Sequence, residues 1–431
     1  MARVIVISID GFPAFYWSDP RARIPTLRAL AARGAVARGM EMVFPSTTWP
    51  GHVSLVTGVL PKAHGVVGNS VLNRSTGRPE DLTGDPIYDA HELLRVPAIH
   101  DRAHAAGLTT AAIDWPATRG AASLDFNLPF FKEQRIFEAH TPGPTWAELS
   151  SLGYPVGRQG EWAELPKRFL KDAMVADLAA DVFHRYHPHL MLVHFLCADS
   201  FQHLYGPRSA EAYWAIEYVD ERIRRFLDAL PRDELDARTA LFVVSDHGFL
   251  PVTQEIRINV RLRQLGLLRA DADGRVTGAE ARFVMNHGAG HLYILDRSTP
   301  QAVLRDLTPE LKTIEGVAGL WTEADYPALG LPTARENAQV GDLLLEAAPG
   351  YCFADTAQGD LVIGPPRYRG THGQLPTHPD NAAFFLAAGP GIQRGAELPG
   401  VTCLDVAPTI AHTLGLGLGE AEGRLLTEML T

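Results

Sequence analysis

The stretch Val4-Ile-Val-Ile-Ser-Ile9 is apolar on both faces of an extended chain and runs directly into Asp10-Gly-Phe12. A short apolar run of this kind predicts a strand that is buried on both sides. Similar runs recur at Thr109–Ile113, Leu190–Leu196, Leu241–Ser245 and Ala382–Ala387. Strands buried on both faces are typical of parallel sheets that are covered by helices on each side.

Segments with helical spacing of apolar residues lie between these strands, at Thr26–Ala37, Lys167–Tyr186, Arg208–Leu230 and Asp405–Leu414. The alternation predicts an α/β fold with a doubly wound, mostly parallel sheet flanked by helices. Between residues 256 and 361 the pattern changes to short strands around one helical stretch, Pro300–Ile314. We therefore expect a core made of residues 1–255 and 362–431, with residues 256–361 inserted as a small α+β cap.

Composition excludes several classes of function. The 431 residues carry 50 acidic and 39 basic side chains, a formal charge of -11, and no run of Lys or Arg, so a nucleic-acid polymer is not an expected partner. No stretch is long enough to span a membrane. Three scattered cysteines predict neither a disulfide framework nor a thiolate zinc site, and they favour the reducing cytoplasm. The oligomeric state stays open.

Three aspartates stand directly after predicted strands: Asp10, Asp199 and Asp246. A single aspartate in such a place is commonly a helix cap or a turn former. The carboxyl ends of parallel strands, however, form the edge where ligands bind in open α/β sheets. Three carboxylates that converge there without an Arg or Lys beside them require a cation.

Histidines accompany two of these aspartates. Asp199 and His203 have i, i+4 spacing, and Asp246 is adjacent to His247. Mixed carboxylate and imidazole ligands suit zinc or manganese better than calcium or magnesium, which prefer oxygen alone. Another pair, His287 and His291, is separated by Gly-Ala-Gly, which argues against a helical ligand pair.

The segment Phe44-Pro-Ser-Thr-Thr-Trp-Pro-Gly-His52 places Pro50 where the first turn of a helix tolerates proline, and hence Thr48 at a helix N-terminus. Thr48 could simply cap that helix. Alternatively, backbone amides and a metal ion could lower the pKa of its hydroxyl and make it a nucleophile.

Together these motifs resemble the alkaline phosphatase superfamily, and within it the nucleotide pyrophosphatase/phosphodiesterase branch. The resemblance rests on seven motifs in order: Ile9-Asp10-Gly-Phe12, Phe44–His52, Thr57-Gly58, His64–Asn69, Asp199–His203, Ser245–Gly248 and Gly370-Thr-His372-Gly373. The matching region around them extends from residue 4 to about residue 392 and so covers nearly the whole predicted core.

The resemblance implies a two-metal hydrolase of phosphate esters, most similar to a phosphodiesterase, that acts on a small phosphate ester or nucleotide. It implies two divalent ions, zinc or alternatively manganese, one held by Asp199, His203 and His372 and the other by Asp10, Thr48, Asp246 and His247. Thr48 would form a covalent phospho-threonine, and Asn69 would donate its amide to a phosphoryl oxygen. Trp49 would either pack against a nucleotide base or anchor its helix in the core.

Three other functions remain open from the sequence. Phosphonoacetate hydrolases and phosphomonoesterases of the same superfamily would share the metal site. A non-catalytic relative would bind the metal ions without catalysing a reaction. Thr47 stands where the phosphodiesterase branch often has Lys, and Gly51 where it has Asn, which puts the substrate in doubt. Basic residues that reach a substrate carboxylate would discriminate, with candidates at Lys62, Arg119 and Lys132. A sulfatase is disfavoured, since no cysteine has the Cys-x-Pro-x-Arg context.

Overall fold

An eight-stranded sheet forms the centre of the molecule. The computed structural model describes residues 2–83, 88–295, 298, 300–417 and 419–431. From edge to edge the strands are Ala396–Leu398, Gly34–Ala37, Phe385–Ala388, Thr239–Val244, Arg3–Ile9, Leu190–Phe195, Thr110–Ile113 and Phe126–Leu128. Neighbouring strands pair in parallel except at the third one, which runs antiparallel to both of its neighbours. The predicted mostly parallel α/β sheet is confirmed.

Helices cover both faces of this sheet. Residues 5, 7 and 9 of the strand Arg3–Ile9 pack into a core with Arg168–Tyr186 and Ala210–Ala229. Residues 4 and 6 point the other way, into a second core with Thr48–Thr57 and Val406–Thr413. Because successive side chains of a strand alternate between faces, a run that is apolar throughout needs a helical layer on each side. The doubly wound arrangement is therefore confirmed as well.

The helices agree with the sequence prediction except near the N-terminus. The α-helices are Phe15–Ser18, Pro25–Ala31, Thr48–Thr57, Pro61–His64, Ala90–Leu93, Ile99–Ala105, Gln134–His140, Gly143–Ser151, Gln159–Trp162, Arg168–Tyr186, Cys197–Tyr205, Ala210–Ala229, Arg232–Arg238, Ile258–Gln264, Pro300–Lys312 and Val406–Thr413. Among the described residues, none of these helices combines the length and the apolar character needed to cross a bilayer.

Two of the predicted elements were wrong in part. The helix expected over residues 26–37 ends at Ala31, and Gly34–Ala37 is a strand of the central sheet. Gly34 lies so close to the backbone of Ala387 that any side chain there would collide with it. The strand expected near residues 382–387 is Phe385–Ala388, and it runs antiparallel. Apolar runs show that a strand is buried, but they do not show its direction.

Residues 256–361 contain a separate antiparallel sheet with the strand order Ala281–Asn286, Ala289–Ile294, Leu343–Ala347 and Val317–Thr322. Helix Pro300–Lys312 buries Leu307 and Leu311 in the hydrophobic core of this sheet. The other strands outside the central sheet are Met40–Glu41, Ser70–Asn73, Arg78–Asp81, Leu250–Ile256, Leu268–Ala270, Val276–Ala279, Gly350–Phe353, Ile363–Gly364, Gly370–Thr371 and Val401–Thr402. The division into core and cap stays a prediction.

Candidate active site

Three aspartates meet at one edge of the central sheet. Asp10 follows the strand Arg3–Ile9, and Asp199 and Asp246 follow the two strands that pair with it on either side. All three are buried, with at most 5% of their surface exposed. Parallel neighbours end at the same edge, so the strand order alone brings these carboxylates together.

Asp10, Asp246 and His247 form one compact group beside Thr48. The Nε2 atom of His247 lies 3.3 Å from Asp10 Oδ1 and 3.3 Å from Asp246 Oδ2. The same nitrogen is 3.5 Å from Thr48 Oγ1. One ligand atom from each of Asp10, Asp246 and His247 lies within 4.8 Å of the others, so the structure assembles the four residues expected around one metal ion.

Asp199, His203 and His372 lie beside this group, and ligand atoms of Asp199, His372 and His247 lie within 4.8 Å of one another. His203 Nε2 lies 3.2 Å from Asp199 Oδ1, and His372 Nε2 lies 3.9 Å from the same oxygen. The His372 and His247 rings stack with their centroids 3.6 Å apart. All seven residues that the sequence proposed as metal ligands therefore lie in one site.

The donor atoms of this site fit divalent metal ions. Asp10 Oδ1, Asp199 Oδ1 and Asp246 Oδ2 are buried and accept no hydrogen bond from the described residues. Leaving a buried carboxylate oxygen without a partner is costly, unless a cation takes that place. The three histidines of the two groups each donate Nδ1–H to a backbone carbonyl oxygen, at 3.0 to 3.1 Å, which leaves Nε2 free as a ligand.

The electrostatics of the site also favour bound cations. Burial raises the pKa of Asp10, and the neighbouring charge of Asp199 raises it further. Burial and Asp10 likewise raise the pKa of Asp246. Burial opposes protonation of His247, but Asp246 and Asp10 outweigh it and raise the pKa of that ring to about 9. The clustered carboxylates thus favour any positive charge placed among them.

Thr48 is the first residue of helix Thr48–Thr57. Its hydroxyl does not cap the helix. Instead the side chain of Asn69 does so, because its Oδ1 accepts a hydrogen bond of 2.8 Å from the backbone N–H of Trp49. The Nδ2 atom of Asn69 then lies 3.5 Å from Thr48 Oγ1. The Thr48 oxygen therefore stands beside a helix N-terminus, where negative charge is stabilised.

A cavity of about 780 Å³ opens over these residues. Trp49 and Phe130 form an apolar wall, with ring centroids 6.4 Å apart in an edge arrangement. Trp49 is only 5% exposed and belongs to a hydrophobic cluster, so it lines the cavity and anchors its helix at once. Further lining residues include Ser70, Asp81, Lys132, Arg168, His194, Met285, Asn286, His287 and Arg367.

The candidate donors for a substrate carboxylate lie in different places. Lys132 lines the cavity, where its Nζ pairs with Asp81 at 2.7 Å. Lys62 and Arg119 are not among the lining residues, and they pair with Glu422 and Asp89.

Three residues of the site were missed by the sequence analysis. Arg168 begins a long helix, and its guanidinium lies 3.4 Å from Asp199 Oδ2. His194, on the strand before Asp199, points its Nε2 at Asp10 Oδ2 from 3.3 Å. His287 was set aside because glycines follow it. Asn286-His-Gly288 between two apolar runs is, however, a hairpin signal that could have shown a fixed turn there.

Comparison with known proteins agrees with this geometry. The model of the type I phosphodiesterase / nucleotide pyrophosphatase family matches residues 4–375. The chain belongs to this family. It is therefore a member of the alkaline phosphatase superfamily, and the resemblance drawn from the seven motifs is confirmed.

Members of the family that resemble the chain come from several organisms. An uncharacterised pyrophosphatase/phosphodiesterase of Schizosaccharomyces pombe is 28% identical over 260 residues, which cover 58% of this chain and 45% of that protein. Human ectonucleotide pyrophosphatase/phosphodiesterase family member 1 is 26% identical over 255 residues, which cover 57% of this chain and 23% of the human protein. The matched region thus spans less than half of these relatives.

Solved structures share the fold over the full length. Murine ectonucleotide pyrophosphatase/phosphodiesterase 5 superposes with a TM-score of 0.73 at 18% identity, covering 100% of both chains. An inactive variant of the murine protein, solved in complex with AMP, superposes with a TM-score of 0.74 at 18% identity. At this identity the likeness concerns the fold alone.

Proposed function

We propose that this protein hydrolyses phosphate esters, with a phosphodiester or nucleotide pyrophosphate as its preferred substrate, through Thr48 as a covalent nucleophile. One observation carries the proposal: the Thr48 oxygen stands at a helix N-terminus, 3.5 Å from both His247 Nε2 and Asn69 Nδ2. Beside it, Asp10 and Asp246 each have one buried oxygen without a hydrogen-bond partner among the described residues. Family membership supports the same chemistry.

Two divalent ions, which we propose to be zinc with manganese as the alternative, would be held in the two groups described above. Asp199, His203 and His372 would hold one ion, and Asp10, Asp246, His247 and Thr48 would hold the other. When bound, two such cations neutralise the charge of the phosphoryl group and lower the pKa of a coordinated hydroxyl. Imidazole and carboxylate together match the preferences of zinc.

Thr48 and Asn69 would then carry the reaction. Thr48 Oγ1 attacks phosphorus, the bond to the leaving oxygen breaks, and a phospho-threonine forms. Asn69 Nδ2 donates to an oxygen of the phosphoryl group as charge builds up on it. Water then hydrolyses the phospho-threonine, which releases the product and restores the hydroxyl.

The apolar wall supports a nucleotide substrate. Trp49 and Phe130 present aromatic surface on the same cavity as Thr48, and a base that stacks there would gain about 1–3 kcal/mol. The AMP bound to the inactive murine relative is consistent with this interpretation.

One observation favours phosphonoacetate or a phosphomonoester as the second candidate substrate. Arg367 lines the cavity and makes no ion pair with any residue that the structure describes, whereas Lys132 and Arg168 are already paired with Asp81 and Asp199. A cation without an acidic partner could bind the carboxylate of phosphonoacetate or the extra charge of a phosphomonoester. Arg367 is therefore the residue whose contact with substrate separates these functions.

A parallel rate assay tests the proposal. Metal-loaded protein is given bis-p-nitrophenyl phosphate, p-nitrophenyl phosphate and phosphonoacetate in separate reactions, with the Thr48→Ala variant as the blank. We expect the diester to be hydrolysed fastest. A higher rate on the monoester or on phosphonoacetate would move the function to that branch, and equal rates for the variant and the wild type would exclude the threonine mechanism.

We also propose that residues 256–361 act as a cap over this site. Met285, Asn286, His287 and Asp355 belong to that segment and line the cavity, which supports a role in substrate choice. Exchanging the segment for that of a family member with another substrate preference should change kcat/KM ratios between substrates while metal content stays constant.

For the location, we propose the cytoplasm. Its support is that Cys197, Cys352 and Cys403 are all buried and unpaired, which suits a reducing compartment. Cell fractionation with detection of the protein by antibody would test this, and recovery of the protein outside the cytosolic fraction would contradict it.

A further inference from the structure

His287 occupies a strained position in a tight turn. It lies between the paired strands Ala281–Asn286 and Ala289–Ile294, in a two-residue loop completed by Gly288. Its φ angle is 61°, a value that glycine, asparagine or aspartate usually supplies in such turns. A histidine held in the left-handed region costs free energy, and residues held in this way gather at functional sites.

Backbone hydrogen bonds connect the turn to the candidate active site. The N–H of Gly288 donates a hydrogen bond of 2.6 Å to the carbonyl oxygen of His372, and the N–H of Phe353 donates to His287 O at 2.9 Å. On the other side of the turn, Asn286 Oδ1 accepts from the backbone N–H of Asn69 at 2.7 Å. The position of the His287 ring is therefore fixed from both sides.

The His287 ring points into the group around Asp199. Its centroid lies 4.2 Å from that of His372 and 4.8 Å from that of His203. One ring nitrogen from each of these three histidines lies within 4.8 Å of the others. Within the described part of the chain, His287 makes no hydrogen bond through either nitrogen.

His291 shows what a structural histidine in the same hairpin looks like. Its Nε2 lies 3.0 Å from Val67 O, and its Nδ1 accepts the backbone N–H of Gly341 at 3.3 Å. Both ring nitrogens of His291 are used by the fold. The two nitrogens of His287 have no such partners, although that ring stands at the site itself.

We propose that His287 is a further ligand of the metal ion that Asp199, His203 and His372 would hold. The inference rests on the proposed function, since it needs that ion. Its ground is the proximity of the three ring nitrogens, together with the lack of a hydrogen-bond partner for the His287 ring among the described residues.

The donor set would then be three imidazoles and one carboxylate. Such a set is suited to zinc, and an added ligand holds the ion more firmly. His287 would therefore set how strongly this chain retains one of its two ions, and it would couple the inserted segment to the catalytic edge of the sheet.

Metal titration of the full chain tests the inference. Metal-free wild type, His287→Asn and His91→Asn are titrated with Zn²⁺ in competition with a chromogenic chelator. Asn tolerates a positive φ, so the turn should persist in the variant. His91 is exposed and serves as the matched control. We expect His287→Asn to weaken one of the two sites at least about tenfold, on the scale known for changes around metal ligands, while His91→Asn leaves both unchanged.

A second measurement needs no variant. In wild type labelled with ¹⁵N-histidine and loaded with ¹¹³Cd²⁺, scalar coupling between the two nuclei arises only through a coordinate bond. We expect coupling for His203, His247, His372 and His287. Wild-type protein that binds no metal would overturn both the proposed function and this inference. Coupling at the other three histidines alone, or unchanged zinc affinities in His287→Asn, would overturn the inference and leave the proposed function standing.

Discussion

The oxygen of Thr48 is not used to cap its helix. A threonine at the N-cap position commonly accepts a backbone N–H with its hydroxyl, but Thr47 holds that position and Thr48 is the first helical residue. Here Asn69 Oδ1 accepts from the N–H of Trp49, so the Thr48 hydroxyl stays free to face His247. Asn69 thus makes two contacts, through its oxygen with the helix N-terminus and through its nitrogen with Thr48 Oγ1.

The first prediction concerns Thr48 itself. Thr48→Ala should lower kcat by about a thousandfold or more, because the nucleophile is gone and only binding and charge stabilisation remain. Thr48→Ser keeps a hydroxyl and should retain measurable turnover. Melting temperature and metal content, measured by calorimetry and by inductively coupled plasma mass spectrometry, should change little in both variants. A fully active Thr48→Ala protein would contradict the covalent mechanism.

The second prediction separates the two contributions of Asn69. Asn69→Asp keeps the oxygen that caps the helix, and its negative charge suits a helix N-terminus, so the melting temperature should not fall. The variant loses the donor that faces Thr48, and kcat should drop by about 10²–10³-fold, the usual cost of one such donor. Asn69→Ala serves as the comparison, because it should lose both stability and rate. Wild-type kcat in Asn69→Asp would show that this amide does not contact the substrate.

At the scale of structural elements, the hairpin around residue 287 holds the loop that carries Asn69. Asn286 ends the first strand of this hairpin, and its Oδ1 accepts hydrogen bonds from the N–H groups of Asn69 and Ser70, at 2.7 and 3.0 Å. Its Nδ2 returns a bond to Ser70 O at 3.0 Å. The hairpin thereby fixes the loop that carries Asn69.

The third prediction follows from these bonds. Asn286→Ala leaves two N–H groups without their acceptor, which should cost about 2–4 kcal/mol of unfolding free energy. The loop that carries Asn69 should also shift, so kcat should fall even though residue 286 does not react. Asn286→Asp keeps the acceptor but loses the donor to Ser70 O, so it should recover only part of the rate. Chemical denaturation and steady-state kinetics measure the two effects, and a stable, fully active Asn286→Ala variant would contradict this role.

The same elements explain which residues of the site the sequence could predict. Asp10, Asp199 and Asp246 could be predicted because each follows an apolar strand, and strand ends of a parallel sheet meet. His372 came from the resemblance, because no local pattern marks it. The sequence did not predict His287 as a site residue. Its position depends on a hairpin between residues 256 and 361 that folds back onto the central sheet, and such a long-range contact leaves no periodic signal in the sequence.

The errors in the fold have a similar cause. Residues 26–37 have helical spacing, yet the second half pairs with a strand more than three hundred residues away. Tertiary pairing of this kind overrides local preference. The direction of Phe385–Ala388 depends on how the chain returns from the inserted segment, which its own composition does not encode.

At the scale of the whole molecule, the candidate metal site joins distant parts of the chain, from Asp10 to His372. Ions that bind only the folded state stabilise it, by about 2.7 kcal/mol for each site at a hundredfold excess over its dissociation constant. Chelation with EDTA should therefore lower the melting temperature of the entire fold, and added Zn²⁺ should restore it. An identical melting temperature with and without chelator would argue against bound ions.

The charges of the site further predict that wild type and Asp246→Asn exchange their order of stability between EDTA and Zn²⁺. Without cations, Asp10, Asp199 and Asp246 repel one another, and Asp246→Asn removes one charge while its Oδ1 can still accept the N–H of Gly11. In EDTA the variant should thus be more stable than the wild type. In Zn²⁺ the order should invert, because Asn is a weaker ligand and the variant should lose one ion. His372→Ala, which removes a ligand but no negative charge, should show the loss in Zn²⁺ without the gain in EDTA. If Asp246→Asn were less stable than the wild type under both conditions, the aspartate would serve the fold rather than a metal ion.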